Sequence, residues 1–175
     1  MNGAYKEYTI RFLPDEIRYL LIGESPPFTP SQENLRYFYN YKSRSGRQIL
    51  LSSVSFSFLD KKFYSKRDNR EVYLEELMKE GVFLLDATYE PINQIKDKKL
   101  RRSEIISAYP QLKKNINDLP MKEGAKILLI HRNVIEAIGG ALREDFANYK
   151  IYDIAFPRYH NDEEFKLRIK RVVEK

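Results

Sequence analysis

Four short apolar runs, each closed by a polar turn and each separated from the next by helix-patterned sequence, constrain this chain more than any other feature. They are Tyr19–Ile22, closed by Gly23-Glu24-Ser25-Pro26-Pro27; Val82–Leu85, closed by Asp86-Ala87-Thr88; Lys126–Ile130, closed by His131; and Tyr149–Phe156, leading into Pro157-Arg158-Tyr159-His160-Asn161. Short, nearly continuous apolar runs suit strands buried on both faces. Strands alternating with helices predict a mostly parallel sheet, and right-handed crossovers bring all the carboxyl ends to one edge. The expected fold class is therefore α/β: a three-layer α/β/α arrangement around a central, mostly parallel, four-stranded sheet. The polar turns converge on one edge, where open sheets of this kind bind ligands.

The intervening sequence supplies the helices. Asn69–Glu80 carries Val72, Leu74, Leu77 and Met78, with Gly81 as a stop. Leu100–Ala108 and Gln111–Leu119 read as two helical pieces broken at Pro110. Val134–Leu142 is the next helix, and Asp162–Val173 the last, with Asn161 as N-cap and Glu164 closing a capping box. Ile49–Leu59 has core-like apolar content, but its Ser and Val residues leave its type open. Residues 1–17 predict a short strand or helix over the sheet edge.

A chain of 175 residues is expected to form one domain, 1–175, able to close a core without metals or disulfides. It contains no Cys, which excludes disulfides, iron–sulfur clusters and thiol nucleophiles. No apolar stretch reaches the ~18 residues of a membrane span and no signal-peptide core is present, so the expectation is a cytoplasmic protein with no membrane partner. The net charge is +6, and Lys42–Arg102 holds 14 basic against 9 acidic residues. Its clusters include Lys42, Arg44 and Arg47, then Lys98, Lys99, Arg101 and Arg102. Such clusters suit either a solvated face or a phosphate backbone.

The turn after the first run carries the chemistry. Glu24 is its only acid, and ten residues beyond Pro27 comes Tyr37-Phe38-Tyr39. A carboxylate followed by flat rings can hold a planar ligand beside an acid. Three adjacent aromatics cannot all point one way, so at least one is expected in the core. Neither GxGxxG nor a P-loop follows the first strand, so the usual phosphate cradles are missing.

In this order, LLIGESPP, the aromatic cluster, GVFLLDATYEP, ILLIHRNVIEAIG and DIAFPRYHN resemble the uracil-DNA glycosylase superfamily. GESPP is similar to the GEAPG motif of one branch, and GVFLLDA to the pattern GVLLLNA. The chain departs from the superfamily at several places. Phe156 and Arg158 stand at the positions of the family's His and Ser, and Asp86 at that of its base-reading Asn. The cysteines that hold a cluster in the GEAPG branch are missing.

The resemblance implies a glycosylase-like site with DNA as partner and neither metal nor cofactor. Glu24 would orient water and steady an oxocarbenium-like sugar, or else cap its turn through backbone N–H groups. His160 or Arg158 would steady the departing base, unless each is a surface residue. Tyr37 or Phe38 would stack on the base, with Gly23, Ser25, Asp86 and Asn93 around it. Lys42, Arg44, Arg47, Arg101 and Arg102 would meet the phosphates. His131 reads as structural. An ionised Asp86 only accepts hydrogen bonds, so poor uracil selection is expected unless it is protonated or shifted.

Three functions follow: hydrolysis of the N-glycosidic bond of a flipped modified base in DNA; a nucleic-acid-binding module of the same fold without efficient chemistry; or a binder or hydrolase of a free nucleobase or nucleoside.

Overall fold

The computed structural model describes residues 3–29, 37–43, 49–156 and 162–174. Helix α1 (Gly3–Arg11) precedes strand β1 (Ile17–Gly23). Helices α2 (Ile49–Leu59) and α3 (Arg70–Lys79) lead to β2 (Val82–Asp86), α4 (Lys98–Asn117) to β3 (Met121–Leu129), α5 (Arg132–Asp145) to β4 (Lys150–Asp153), and α6 (Asp162–Val173) follows.

The four strands are all parallel, in the order β2-β1-β3-β4. Leu20 lies between Phe83 and Ile127, and Leu21 between Leu84 and Leu128. Leu20, Leu21 and Ile22 on β1, and Ile127, Leu128 and Leu129 on β3, are fully buried, as expected for a sheet covered on both faces. Helix α4 packs on α5, while α2 packs on α3 and α6. With right-handed crossovers these two groups form the outer layers, and the expected α/β/α class holds.

Local chemistry explains where the elements differ from expectation. The serine-rich segment 49–59 is helical. Ser53 Oγ donates to the Ile49 carbonyl at 2.9 Å and Ser57 Oγ to the Ser53 carbonyl at 2.7 Å, so their hydroxyls are satisfied within the buried helix. Helix α3 begins at N-cap Asn69 and stops at Gly81, whose φ of +70° lies in the left-handed region. A Cβ there would also meet the Glu16 carbonyl oxygen at 2.9 Å.

The expected break at Pro110 does not occur. Helix α4 runs unbroken from Lys98 to Asn117, with Pro110 inside it. Proline removes the donor to the Ile106 carbonyl, but Ile106 and Pro110 are both exposed, so water can take that acceptor. Ile105, Leu112 and Ile116 meanwhile bury one stripe across the proline. Strand β3 starts earlier than its apolar run because Met121 pairs with Ile17 before the register shifts. Strand β4 is shorter than Tyr149–Phe156. The extended chain continues, however, with Ile154 N–H donating to the Leu129 carbonyl and Phe156 N–H to the Ile130 carbonyl.

The aromatic segment sits against α1. Tyr37 is wholly buried, shares a 2.7 Å hydrogen bond with Thr9 Oγ1 and packs edge-on against Tyr5 at 4.9 Å. Tyr39 is buried too, and its hydroxyl accepts from Leu84 N–H on edge strand β2 at 2.7 Å. Phe38, between them, is half-buried and lies edge-on to Tyr39. Buried Arg70 donates from Nη2 to the carbonyls of Tyr37 and Phe38, at 2.6 and 2.5 Å. Desolvation pushes its pKa down to about 10, which still leaves it charged at neutral pH.

Tyr37 therefore has no face to offer a base, which corrects the expectation that it stacks. Tyr37→Phe should lower stability by about 1 kcal/mol through the lost Thr9 bond. On the expectation that DNA is the partner and a ring of this segment stacks on a base, that variant should leave single-strand DNA affinity unchanged and Phe38→Ala should weaken it by roughly 1 kcal/mol or more. Thermal melts and fluorescence anisotropy on the two variants measure both effects.

Candidate functional site

The strand order creates one topological switch point. From β1 the chain crosses to β2 on one side, then returns past β1 to β3 on the other, so the connections leave the carboxyl ends of β1 and β3 in opposite directions. Beyond the strands the ladder continues: Ala87 N–H donates to the Gly23 carbonyl at 2.9 Å, Thr88 N–H to the Glu24 carbonyl at 3.2 Å, and Ile130 N–H to the Ile22 carbonyl at 3.1 Å. The turns after β1, β2 and β3 are thus fixed side by side at one edge.

Glu24 is the centre of this edge. It is 7% exposed. Its Oε1 accepts from Asn133 Nδ2 at 2.6 Å, and its Oε2 is ion-paired with Arg101 Nη2. His131 and Asn133 open α5, whose N-terminus favours a carboxylate nearby. His131 caps that helix with Nδ1, which accepts from Asn133 N–H at 3.3 Å and lies 3.5 Å from Glu24 Oε1. An accepting Nδ1 carries no proton, so the neutral ring has its hydrogen on Nε2. Burial and the Arg101 charge lower the His131 pKa against the opposing pull of Glu24, consistent with a neutral imidazole.

Asp86, at the end of β2, faces the same carboxylate. It is buried, and burial, reinforced by the Glu24 charge, raises its pKa to about 7. Its Oδ1 lies 2.6 Å from where a Cβ on Gly23 would stand, so glycine at 23 is what admits the side chain. Tyr5, Tyr37, Tyr39 and Tyr89 all feel the Asp86 charge, and burial together with that charge moves each phenol upward.

The neighbouring loops are stitched together. Ser25 Oγ accepts from Ile92 N–H at 3.4 Å, and Asn93 Oδ1 accepts from Phe28 N–H at 2.9 Å. Asn93 is exposed and Thr88 buried, with Thr88 Oγ1 accepting from Glu90 N–H. As placed, Ser25 and Asn93 hold backbone, and Gly23, Glu24 and Asp86 come together.

Two of the residues expected on phosphates point elsewhere. Arg101 reaches into Glu24, and Arg102 is ion-paired with Glu136, which also accepts from Arg132 at 2.7 Å. The reason is local: α4 begins at N-cap Asp97 and packs on α5, which turns its leading arginines toward carboxylates of the switch point and of α5. Lys42 is exposed, its Nζ 5.6 Å from the Tyr41 ring centroid. Arg44, Arg47, Arg158 and His160 lie outside the described residues. Phe156, at the position of the family histidine, packs its ring on Phe165 at 4.7 Å.

The sequence reading puts the His131–Asn133 turn at this edge but gives Asn133 no role and does not pair His131 with Glu24. The signal was the polar triplet His131-Arg132-Asn133 directly after the third apolar run. Among the described residues no group of three or more His, Asp or Glu is arranged to hold a metal, and no helix is long and apolar enough to cross a membrane. Comparison with protein-family models, curated proteins and solved structures gives no match.

Proposed function

We propose that the protein acts on a nucleobase at this edge, as a uracil-DNA glycosylase-like hydrolase of the N-glycosidic bond of a flipped modified base in DNA. The observation that carries the reading is a buried carboxylate, Glu24, held in place by Asn133 and Arg101 at the switch point, next to a second carboxyl, Asp86, that is largely protonated below neutral pH.

Cleavage of the C1′–N1 bond leaves positive charge on the sugar and the bonding pair on the base. Glu24, fixed by two donors, can face that cation and take a proton from the attacking water. The water oxygen bonds to C1′, giving an abasic sugar, and the base leaves as an anion that is then protonated. A neutral Asp86 presents one donor and one acceptor, as an amide does, and so can match uracil O4 and N3–H. Half-buried Phe38 is the ring of the aromatic cluster left to stack.

The binding-module reading is favoured by one observation: Phe156, half-buried and packed on Phe165 at the margin of the core, stands where the resemblance calls for a histidine. Oligonucleotides carrying uracil, hypoxanthine, xanthine or mismatches separate the two. The wild-type chain should yield abasic sites from one of them, and Glu24→Gln should cut the rate by about 100-fold or more. Equal rates in the two proteins would overturn the role of Glu24. Salt-dependent DNA binding with no abasic product would favour the binding module.

A further inference from the structure

The departing base needs positive charge near its oxygens, and neither Phe156 nor two of the residues in contact with Glu24 can provide it. Phe156 has no polar group. His131 is neutral and uses Nδ1 as an acceptor toward Asn133 N–H. The Asn133 amide donates to Glu24. Arg101 differs from all three. It is a permanent cation, its side chain is 21% exposed, and among the described residues Glu24 is the one acceptor its guanidinium reaches. Its Nε is buried without a hydrogen-bond partner.

We propose, on the glycosylase reading above, that Arg101 is a catalytic residue: the guanidinium that pairs with Glu24 also donates to the base oxygen beside the breaking bond. In a pyrimidine, O2 is carried by the carbon bonded to N1, the atom that leaves C1′. A cation touching the carboxylate that faces C1′ is therefore within one side-chain length of the oxygen on which negative charge grows. As C1′–N1 breaks, the electron pair passes into the N1–C2–O2 unit, and a donated N–H from Arg101 stabilises it. The proton released by the attacking water goes to Glu24 and from there to the departed base. The guanidinium stays charged throughout, so Arg101 acts by electrostatics and not by proton transfer. A first-turn residue of α4 thus replaces a donor that the resemblance would place after β4.

The test compares oligonucleotides carrying uracil with the same oligonucleotides carrying 5-fluorouracil, a more acidic and so less demanding leaving group. Single-turnover rates are measured for the wild-type chain, Arg101→Gln and Arg101→Lys. Arg101→Gln should lose about 100-fold on uracil and at least tenfold less on 5-fluorouracil, with Arg101→Lys intermediate on uracil. Equal losses on both bases would overturn the inference and leave Arg101 as a support for Glu24. So would a rise in KM with kcat unchanged and a shallower salt dependence, the pattern of a phosphate contact. If Arg101→Gln does not fold, Arg101→Lys, which keeps a positive charge near Glu24, carries the comparison, with a smaller loss on uracil that should still exceed its loss on 5-fluorouracil. Absence of abasic product from the wild-type chain with either base would overturn the glycosylase reading, and this inference with it.

Discussion

Glu24→Ala should melt about 6–12 °C below the wild-type chain at pH 7, a loss of roughly 3 kcal/mol. The substitution removes the ion-pair partner of Arg101, whose Nε already lacks an acceptor, and leaves Asn133 Nδ2 without its 2.6 Å bond. Removing one member of a fully buried ion pair costs about 3–5 kcal/mol. The partial exposure of Arg101 lowers that figure, because water can reach part of the guanidinium. An orphaned buried amide adds on the order of 1 kcal/mol. One effect opposes these: without Glu24, Asp86 loses a neighbouring negative charge. That charge ranks below burial among the causes of the Asp86 shift, so the relief does not reverse the sign. Glu24→Gln keeps an acceptor for Asn133 and should fall less. Calorimetry on both variants measures the difference, and a Glu24→Ala melt within about 2 °C of wild type would mean the pair does not hold this edge together.

Asp86→Asn has the opposite sign and depends on pH. The wild-type carboxyl moves from an ordinary value of 3.8 to about 7 on folding. The folded chain thus keeps a proton that the unfolded chain releases above pH ~4, and the wild-type protein loses stability as pH rises from about 4 to about 7. Asparagine carries no such penalty. The variant should match wild type near pH 4, gain on it up to pH 7 and stay ahead above. At pH 8 the gain is on the order of 2 kcal/mol, or about 4–8 °C in melting temperature, roughly half of what a three-unit shift allows. On the function proposed above, the same ionisation would govern base recognition. At pH 8 only about a tenth of Asp86 is protonated, so wild-type affinity for uracil-containing DNA should fall about tenfold from pH 5, while the variant stays level. Binding that is flat with pH in the wild-type chain would remove Asp86 from the base-reading role.

Residues with one dominant physical constraint were legible in the sequence. Leu20, Leu21, Ile22 and Val82–Leu85 are buried on both faces, so their apolar runs marked strands whatever packed around them. Gly23 and Glu24 were legible because a turn directly after a strand lies on the binding edge of such a sheet. Residues whose surroundings come from distant segments were not. Tyr37, Phe38 and Tyr39 lie on a turn closed by Asn40 N–H on the Tyr37 carbonyl, and which rings face inward depends on contacts such as those of Tyr37 with Thr9 and Tyr5 of α1, a stretch that suggested no chemistry. Arg101 read as one more cation in a basic cluster, since its target lies 77 positions away in the sequence. Pro110 read as a breaker because the side of α4 that faces water cannot be judged until its packing partner is known.

The position of β1 has a kinetic consequence for the two halves of the Glu24–Arg101 pair. Strand β1 is hydrogen-bonded on both sides, by β2 and by β3, so the acid is anchored to the segment of the sheet that local opening reaches last. Arg101 hangs from the first turn of α4, which frays ahead of the sheet and is fastened at its tip by Asp97. Whenever the contact breaks, the guanidinium swings away and the carboxylate stays put, so a ligand arriving at this edge meets a fixed anion and a retractable cation.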